Sequence, residues 1–441
     1  MSLATEAGIK IMREALDRKT FLEQLAQTAQ QLADNLQETA EQKLRRLKEL
    51  EALTKLHWPT AQDEIWRYTG PELFPFDNFT ISAEQIAKSL TISNADPAHI
   101  KLINSGAELD SFIKRACERE ANSQLAATFA LHRTFCTTRN LIQVQGQARG
   151  VTAIEHRTPY SSTHNQAQLQ QANSLFPHTI ISVSKTSQAT IVQDFAATQT
   201  DRQTADRQAV DPFLMPVTDI FVADGATLRY IEVQDLPTNV KICGRTRVWL
   251  GRDANFYGFQ INTGAKVARF DYDCWIEGPG ANAEMLGLYL SDGKQHFDVH
   301  TGQRHKAPQA RSNLLFKGAL GGKSRSIFAG TIIVDPGAQK TDAYQTNRNL
   351  LLSSKAKADS IPGLEISADD VKCSHGSSTG HDATNEIFYM RSRGLTELQA
   401  RKLLVRGFFE DLFDLAVKNG MPQTVLDRMH ALVDAKLSKI T

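Results

Sequence analysis

The sequence predicts a mainly β protein whose strands fill the middle of the chain, between helical segments at either end. Three observations carry this. From Leu141 the chain runs in short stretches rich in Val, Ile, Thr and aromatics, punctuated by Gly, Asp and Ala, which is the pattern of strands and turns. Before Cys136 and after Thr396, apolar residues instead recur at steps of three and four, the spacing of one helix face. None of the strand-like stretches has an amphipathic helix beside it, which excludes the strand–helix alternation of a Rossmann fold. The expected organisation is a helical domain over residues 1–136, a β core over 137–372 and a C-terminal helical domain over 373–441.

The composition is that of a globular chain of two or three domains: 441 residues, 41% hydrophobic and 22% charged. Fifty Lys and Arg against forty-nine Asp and Glu leave a net charge of +1, so no overall field recruits nucleic acid or an acidic membrane. The five cysteines, Cys117, Cys136, Cys243, Cys274 and Cys373, form no CxxC pair, which suits a reducing compartment without disulfides. No apolar run approaches the length of a spanning helix. Residues 1–10 lack the basic start and apolar stretch of a secretory signal, so a cytoplasmic location is expected.

In chain order, Leu22, Leu25, Ala29, Leu32 and Leu36 define the stripe of a first amphipathic helix. The stripe continues through Leu44, Leu47 and Leu50 to Pro59 as one helix or a bent pair, packed on its own domain rather than in a coiled coil. In His57–Gly70, Pro59 and Thr60 could open a short helix bearing Trp66 and Tyr68. Strands are expected at Leu141–Val144, Thr179–Val183, Asp219–Ala223, Phe256–Ile261, Phe270–Ile276 and Ile327–Val334. Polar insertions at Tyr160–Ser174 and Thr198–Pro212 read as surface loops. Gly251, Gly264, Gly280 and Gly293 follow one another at 13, 16 and 13 residues. That spacing fits a stacked coil of strand and turn, but a sandwich with turns about every 8 to 12 residues fits as well. Near the C-terminus, Thr396 and Gln399 form a capping box, Leu404, Phe408, Leu412 and Leu415 line one face, and Asn419-Gly420 ends the helix. A last helix after Pro422 carries Val425, Met429, Leu432, Val433 and Leu437. Phe408, Phe409 and Phe413 crowd two faces, so part of this helix could meet a partner.

No P-loop, GxSxG, HExxH, EF-hand or dinucleotide fingerprint is present. Two groups could carry chemistry. His296, Asp298 and His300 would share one face of a strand, with His305 beyond, as a metal site or as a solvated polar face. Cys373 and His375 flank Ser374, so in an extended chain a thiol and an imidazole project to the same side. Two ligands leave a tetrahedral site half built, so a metal would need the rest from elsewhere in the chain or from another subunit. The bland alternative is a buried Cys beside a hydrogen-bonded His. A polysaccharide-active enzyme would draw on Asp271, Asp273 and Asp298.

The stretch TDAYQTNRNLLLSSKAKADSIPGLEISADDVKCSHGSSTG from Thr341, followed by NEIFYMRSRGL, resembles the SufB/SufD family, as do HWPTAQDEIWRYTG and the run from His296 through Lys317. The CSHG at Cys373–Gly376, and the lack of spaced N-terminal cysteines, place the resemblance on the SufD side rather than the SufB side. It covers nearly the whole chain, most weakly from Tyr160 to Pro212. The resemblance implies a right-handed parallel β-helix core flanked by N- and C-terminal α-helical domains. It implies a non-catalytic scaffold subunit that pairs with SufB along the β-helices and binds the ATPase SufC through its C-terminal helices. It also implies a transient iron–sulfur cluster shared with SufB, with His375 and Cys373 as the matching ligand positions. Gly380-His381 departs from the family pattern; His381 could add a ligand or start a helix. In isolation, such a chain could pair with itself.

Overall fold

The computed structural model describes residues 20–76, 79–81, 90–119, 124–157, 172–196, 211–381 and 384–438. From Val217 onward, successive strands alternate between two sheets, and every neighbour within a sheet is parallel. The first sheet takes Val217–Val222, Lys241–Leu250, Val267–Ile276, His296–His305, Arg325–Val334 and Lys357–Ile366. The second takes Thr227–Asp235, Asn255–Asn262, Asn282–Ser291, Arg311–Leu320, Asp342–Leu351 and Lys372–His381. The chain therefore winds as a parallel β-solenoid, which decides between the coil and the sandwich.

One coil is 29 residues where Val267 pairs with His296 and His296 with Arg325. The glycine spacings do not mark equivalent corners: Leu250 pairs with Ile276, so Gly278 stacks on Gly251, while Gly280 stands against Asp253. Close stacking at these corners excludes side chains: a Cβ on Gly278 would stand 2.0 Å from the Gly251 carbonyl carbon and from the Arg252 nitrogen.

Every second residue points inward, and the interior is closed by Leu228, Phe256, Phe270, Phe297, Phe316 and Phe328, among others. The outward face of the second sheet is also apolar, with Ile231, Phe259, Leu286, Leu288 and Leu315. Helices Glu397–Lys418 and Gln423–Leu437 cover it, so the C-terminal helices pack on their own β core. Thr396 and Gln399 form the expected capping box, and Gly420 follows the helix end at a φ of 72°. The buried face, however, is Val405, Phe409, Leu412, Phe413 and Ala416. Phe409 and Phe413 are core residues and are not available to a partner, and Phe408 is partly buried beside them. Full burial of each such ring contributes about 1.5–3 kcal/mol.

The N-terminal segment covers the first sheet. Helices at residues 20–35 and Ala40–Lys55 form a bent pair; Leu25, Leu32, Leu50 and Leu53 are buried, while Leu44 and Leu47 are exposed, outside the stripe. His57–Gly70 holds only a short 3-10 turn, Glu64–Trp66, in place of the expected helix, and it seats Trp66 in full burial. The N-terminal part also contributes strands Leu90–Ser93 and Ile100–Ile103, which close the first coils by antiparallel pairing. The polar insertions lie mostly outside the described residues, but Ala172–Leu175 is a strand rather than a loop. No helix among the described residues is long and apolar enough to cross a membrane.

Candidate functional site

Cys373 and His375 lie on Lys372–His381, the last strand of the second sheet. β structure thus runs past the 372/373 boundary read from sequence, and the two residues belong to the final coil rather than to a helical segment. Cys373 is in register with Ala343 and His375 with Gln345, both buried positions. Strand alternation turns Cys373, His375, Ser377, Thr379 and His381 toward the solenoid interior, where no further coil closes over them. His375 and His381 are exposed, and Cys373 is half-buried against Val334, Ala343 and Ala368. Burial pushes the Cys373 thiol up, partly offset by its contact with the Ala343 backbone. A buried Cys beside a hydrogen-bonded His is therefore not what this pair is.

The α-carbons of Cys373 and His375 are about 7 Å apart along the strand, so thiol and imidazole can meet on one metal. His381 ends the same strand, on the same face, and the next helix starts at Thr384. No group of three or more His, Cys, Asp or Glu among the described residues could close a metal site. Further ligands would have to come from outside this coil.

The other candidate group is structural. His296, Asp298 and His300 do share the outward face of His296–His305. Arg269 Nη1 donates to Asp298 Oδ2 at 3.0 Å, His300 Nε2 lies 2.9 Å from Asp298 Oδ1, and His296 Nε2 meets Thr69 Oγ1 at 2.8 Å. The Arg269 guanidinium supplies the positive charge that a metal would supply, and with His300 it holds the Asp298 carboxyl well below the usual carboxylate range. His305 points inward, with Nε2 2.7 Å from Ser312 Oγ. The carboxylates of the glycosidase reading are also engaged: Arg269 binds Asp271, and Arg245 and Arg304 both bind Asp273. No free acid–base pair remains among those three.

Sequence reasoning missed the open terminal coil. Lys357–Ile366 and Lys372–His381 are the outermost strands of their sheets, and Tyr344, Ile361, Leu364 and Ile366 stand exposed around them. A sheet edge presents unpaired N–H and C=O groups that invite another strand.

Fold and site together define a β-solenoid scaffold whose last coil displays a thiol and imidazoles at an unpaired sheet edge. The family described as SUF system FeS cluster assembly, SufBD core domain, matches residues 160–408, more than half of the chain. The protein belongs to the SufBD family of iron–sulfur cluster assembly proteins. It is 35% identical over 228 residues to an iron–sulfur cluster assembly SufBD family protein of Mycobacterium leprae, covering 50% of this chain and 57% of that one. Identity to a SufBD family protein of Synechocystis is 31% over 239 residues, 54% of this chain and 52% of the relative. The Escherichia coli iron–sulfur cluster assembly protein SufD matches at 33% over 180 residues, 41% and 43% of the two chains. The chain spans about half the length of the curated relatives it matches.

Proposed function

We propose that this protein is a SufD-type scaffold subunit, without turnover of its own, that pairs end to end with a SufB partner. Nascent iron–sulfur clusters form where their terminal coils meet. The observation that carries this reading is the unpaired edge of both last strands, with Cys373 and His375 facing the opening. A homologous solenoid could continue the sheets and supply the missing ligands, while the cluster remains cargo in transit rather than a resident group. An ATPase of the SufC type would dock on the C-terminal helices, and Phe388, Tyr389, Leu403 and Val417 are exposed there. ATP turnover in that subunit would then move the interface. Without SufB, the same edge would serve pairing between two copies of this chain.

The test is coexpression with SufB and SufC, capture through a tag on this chain, and a visible absorption spectrum. Both partners are expected in the eluate, with the absorption of a cluster. Failure to capture SufB under conditions where SufB folds contradicts the proposal.

A further inference from the structure

We propose that two copies of this chain, joined along the free edge of Lys372–His381, bind a soft or borderline divalent cation such as Zn²⁺ through Cys373 and His375 of one copy and His381 of the other. This rests on the reading of Lys372–His381 as a pairing edge and adds what pairing builds there. His381 ends the strand, exposed, on the face that carries Cys373 and His375. Within one chain it lies about 20 Å beyond His375 along the strand, out of reach of an ion held by Cys373 and His375.

The direction of the backbone groups fixes how a second copy pairs. The Lys372 N–H donates to the Thr341 carbonyl oxygen at 2.8 Å, with Lys372 in register with Asp342. By strand alternation, Lys372, Ser374, Gly376, Ser378 and Gly380 direct their backbone groups to the neighbouring strand Asp342–Leu351. Cys373, His375, Ser377, Thr379 and His381 direct theirs to the open edge. In an antiparallel pair, such residues exchange both hydrogen bonds with the residue opposite. A two-fold axis at Ser377 sets Cys373 opposite His381, His375 opposite Thr379 and Ser377 opposite its own copy, so every outward N–H and C=O along the strand is bonded. Moving the axis by one residue either way leaves Cys373 or His381 outside the ladder. The first sheet offers no such continuous edge. There the Lys357 N–H donates to the Ser324 carbonyl oxygen at 3.0 Å, so the outward set includes Pro362, which has no N–H to give.

Directly opposed residues of this kind have α-carbons about 5.5 Å apart and side chains on one face. The Cys373 thiol therefore meets the imidazole of His381 of the second copy. His375, on the same face as Cys373 and about 7 Å from it, is the diagonal neighbour of that imidazole. One thiolate and two imidazoles with a fourth position open to water make a set that zinc accepts. The sulfur, and the lack of any Asp or Glu on the strand, select against magnesium and calcium. No group of three or more His, Cys, Asp or Glu among the described residues of one chain could close a metal site, so the ion needs both copies. The axis generates the site twice in each dimer. An ion held there occupies Cys373 and His375 until a SufB partner replaces the second copy.

The experiment titrates the isolated full chain, freed of metal with a chelator that is then removed, with Zn²⁺ while its mass is followed by sedimentation. A dimer that takes up one Zn²⁺ per chain is expected. Affinity should fall by at least about a hundredfold in Cys373→Ser and in His381→Ala, the upper end of what losing a group behind a metal ligand costs. It should be unchanged in His57→Ala, an exposed histidine elsewhere. Mixing the two site variants should restore tight binding at one site of each mixed dimer, because the thiol of one chain and the imidazole of the other complete it. With Co²⁺ in place of Zn²⁺, the charge-transfer absorption of a thiolate–cobalt bond should appear in the intact protein and be lost in Cys373→Ser. The proposal is overturned if His381→Ala binds Zn²⁺ as the intact chain does, if the mixture binds no better than its components, or if the chain stays monomeric with Zn²⁺ present. A dimer that takes up no Zn²⁺ overturns the site and leaves the pairing edge standing, whereas the SufB reading falls only on the coexpression result.

Discussion

Arg269 and Asp298 are register partners on adjacent strands, 3.0 Å apart and almost wholly buried, and the same guanidinium donates to the Ile65 carbonyl oxygen at 2.7 Å. The Trp66 ring lies 4.2 Å from it. One ion pair therefore fastens the N-terminal segment to the β core. Asp298→Ala leaves Asp271 as the carboxylate on buried Arg269 and should destabilise the protein by about 1.5–3 kcal/mol, whereas Asp298→Ala combined with Asp271→Ala strands the guanidinium and should cost about 3–5 kcal/mol. Chemical unfolding of the three proteins checks this; equal losses in the single and double variants contradict it.

His305 gives the fold a defined sensitivity to acid. Burial holds its imidazole down to about 4, against about 6.5 when unfolded. Below pH 6.5 the unfolded chain binds a proton that the folded chain refuses until about pH 4, so stability is full above 6.5 and falls across that window. His156, lowered to about 3 by burial, acts in the same sense. Replacing His305 with Gln should flatten the pH dependence of unfolding between 6.5 and 4, by on the order of 3 kcal/mol at the acid end. An unchanged slope contradicts the assignment.

Lys317 fastens the opposite face. Its buried ammonium donates to the Phe408 carbonyl oxygen at 2.7 Å and lies 2.5 Å from Asp411 Oδ1, over the Phe408 ring. Lys317→Met keeps the packing stem and loses these contacts, so amide exchange across Glu397–Lys418 should accelerate while the strands stay protected. Uniform acceleration throughout the chain would show that the lysine does not act locally.

Two glycines should differ in their tolerance of alanine. At Gly278 the new Cβ meets backbone, whereas at Gly376 nothing lies within 4 Å. Gly278→Ala should lower the thermal midpoint of the isolated chain by several degrees, on the order of 1–3 kcal/mol, while Gly376→Ala leaves it unchanged. Similar midpoints for the two would contradict the corner geometry.

What was legible in the sequence depended on the range of the interaction. The capping box at Thr396 and Gln399 is a contact three residues long, and it is present as read. The buried face of that helix is set by the sheet beneath it, so Val405, Phe409 and Phe413 join Leu412 at its centre, while Leu404, Phe408 and Leu415 pack at its partly buried margin. Strands such as Asn255–Asn262 were visible because both of their faces are buried. Lys372–His381 was not, because its outer edge and inward face are open and KCSHGSSTGH has no apolar alternation to reveal it. The shared face of His296, Asp298 and His300 followed from the two-residue period; Arg269, one coil away, could not be inferred from spacing.

In the proposed role, the His375 imidazole at the open coil serves cluster formation and not the fold. The direct measurement is the iron and sulfide content of the complex captured from cells coexpressing His375→Ala with SufB and SufC. Unchanged co-purification of both partners with cluster reduced to background is predicted, whereas the intact protein's cluster yield in the same assembled complex would contradict the account.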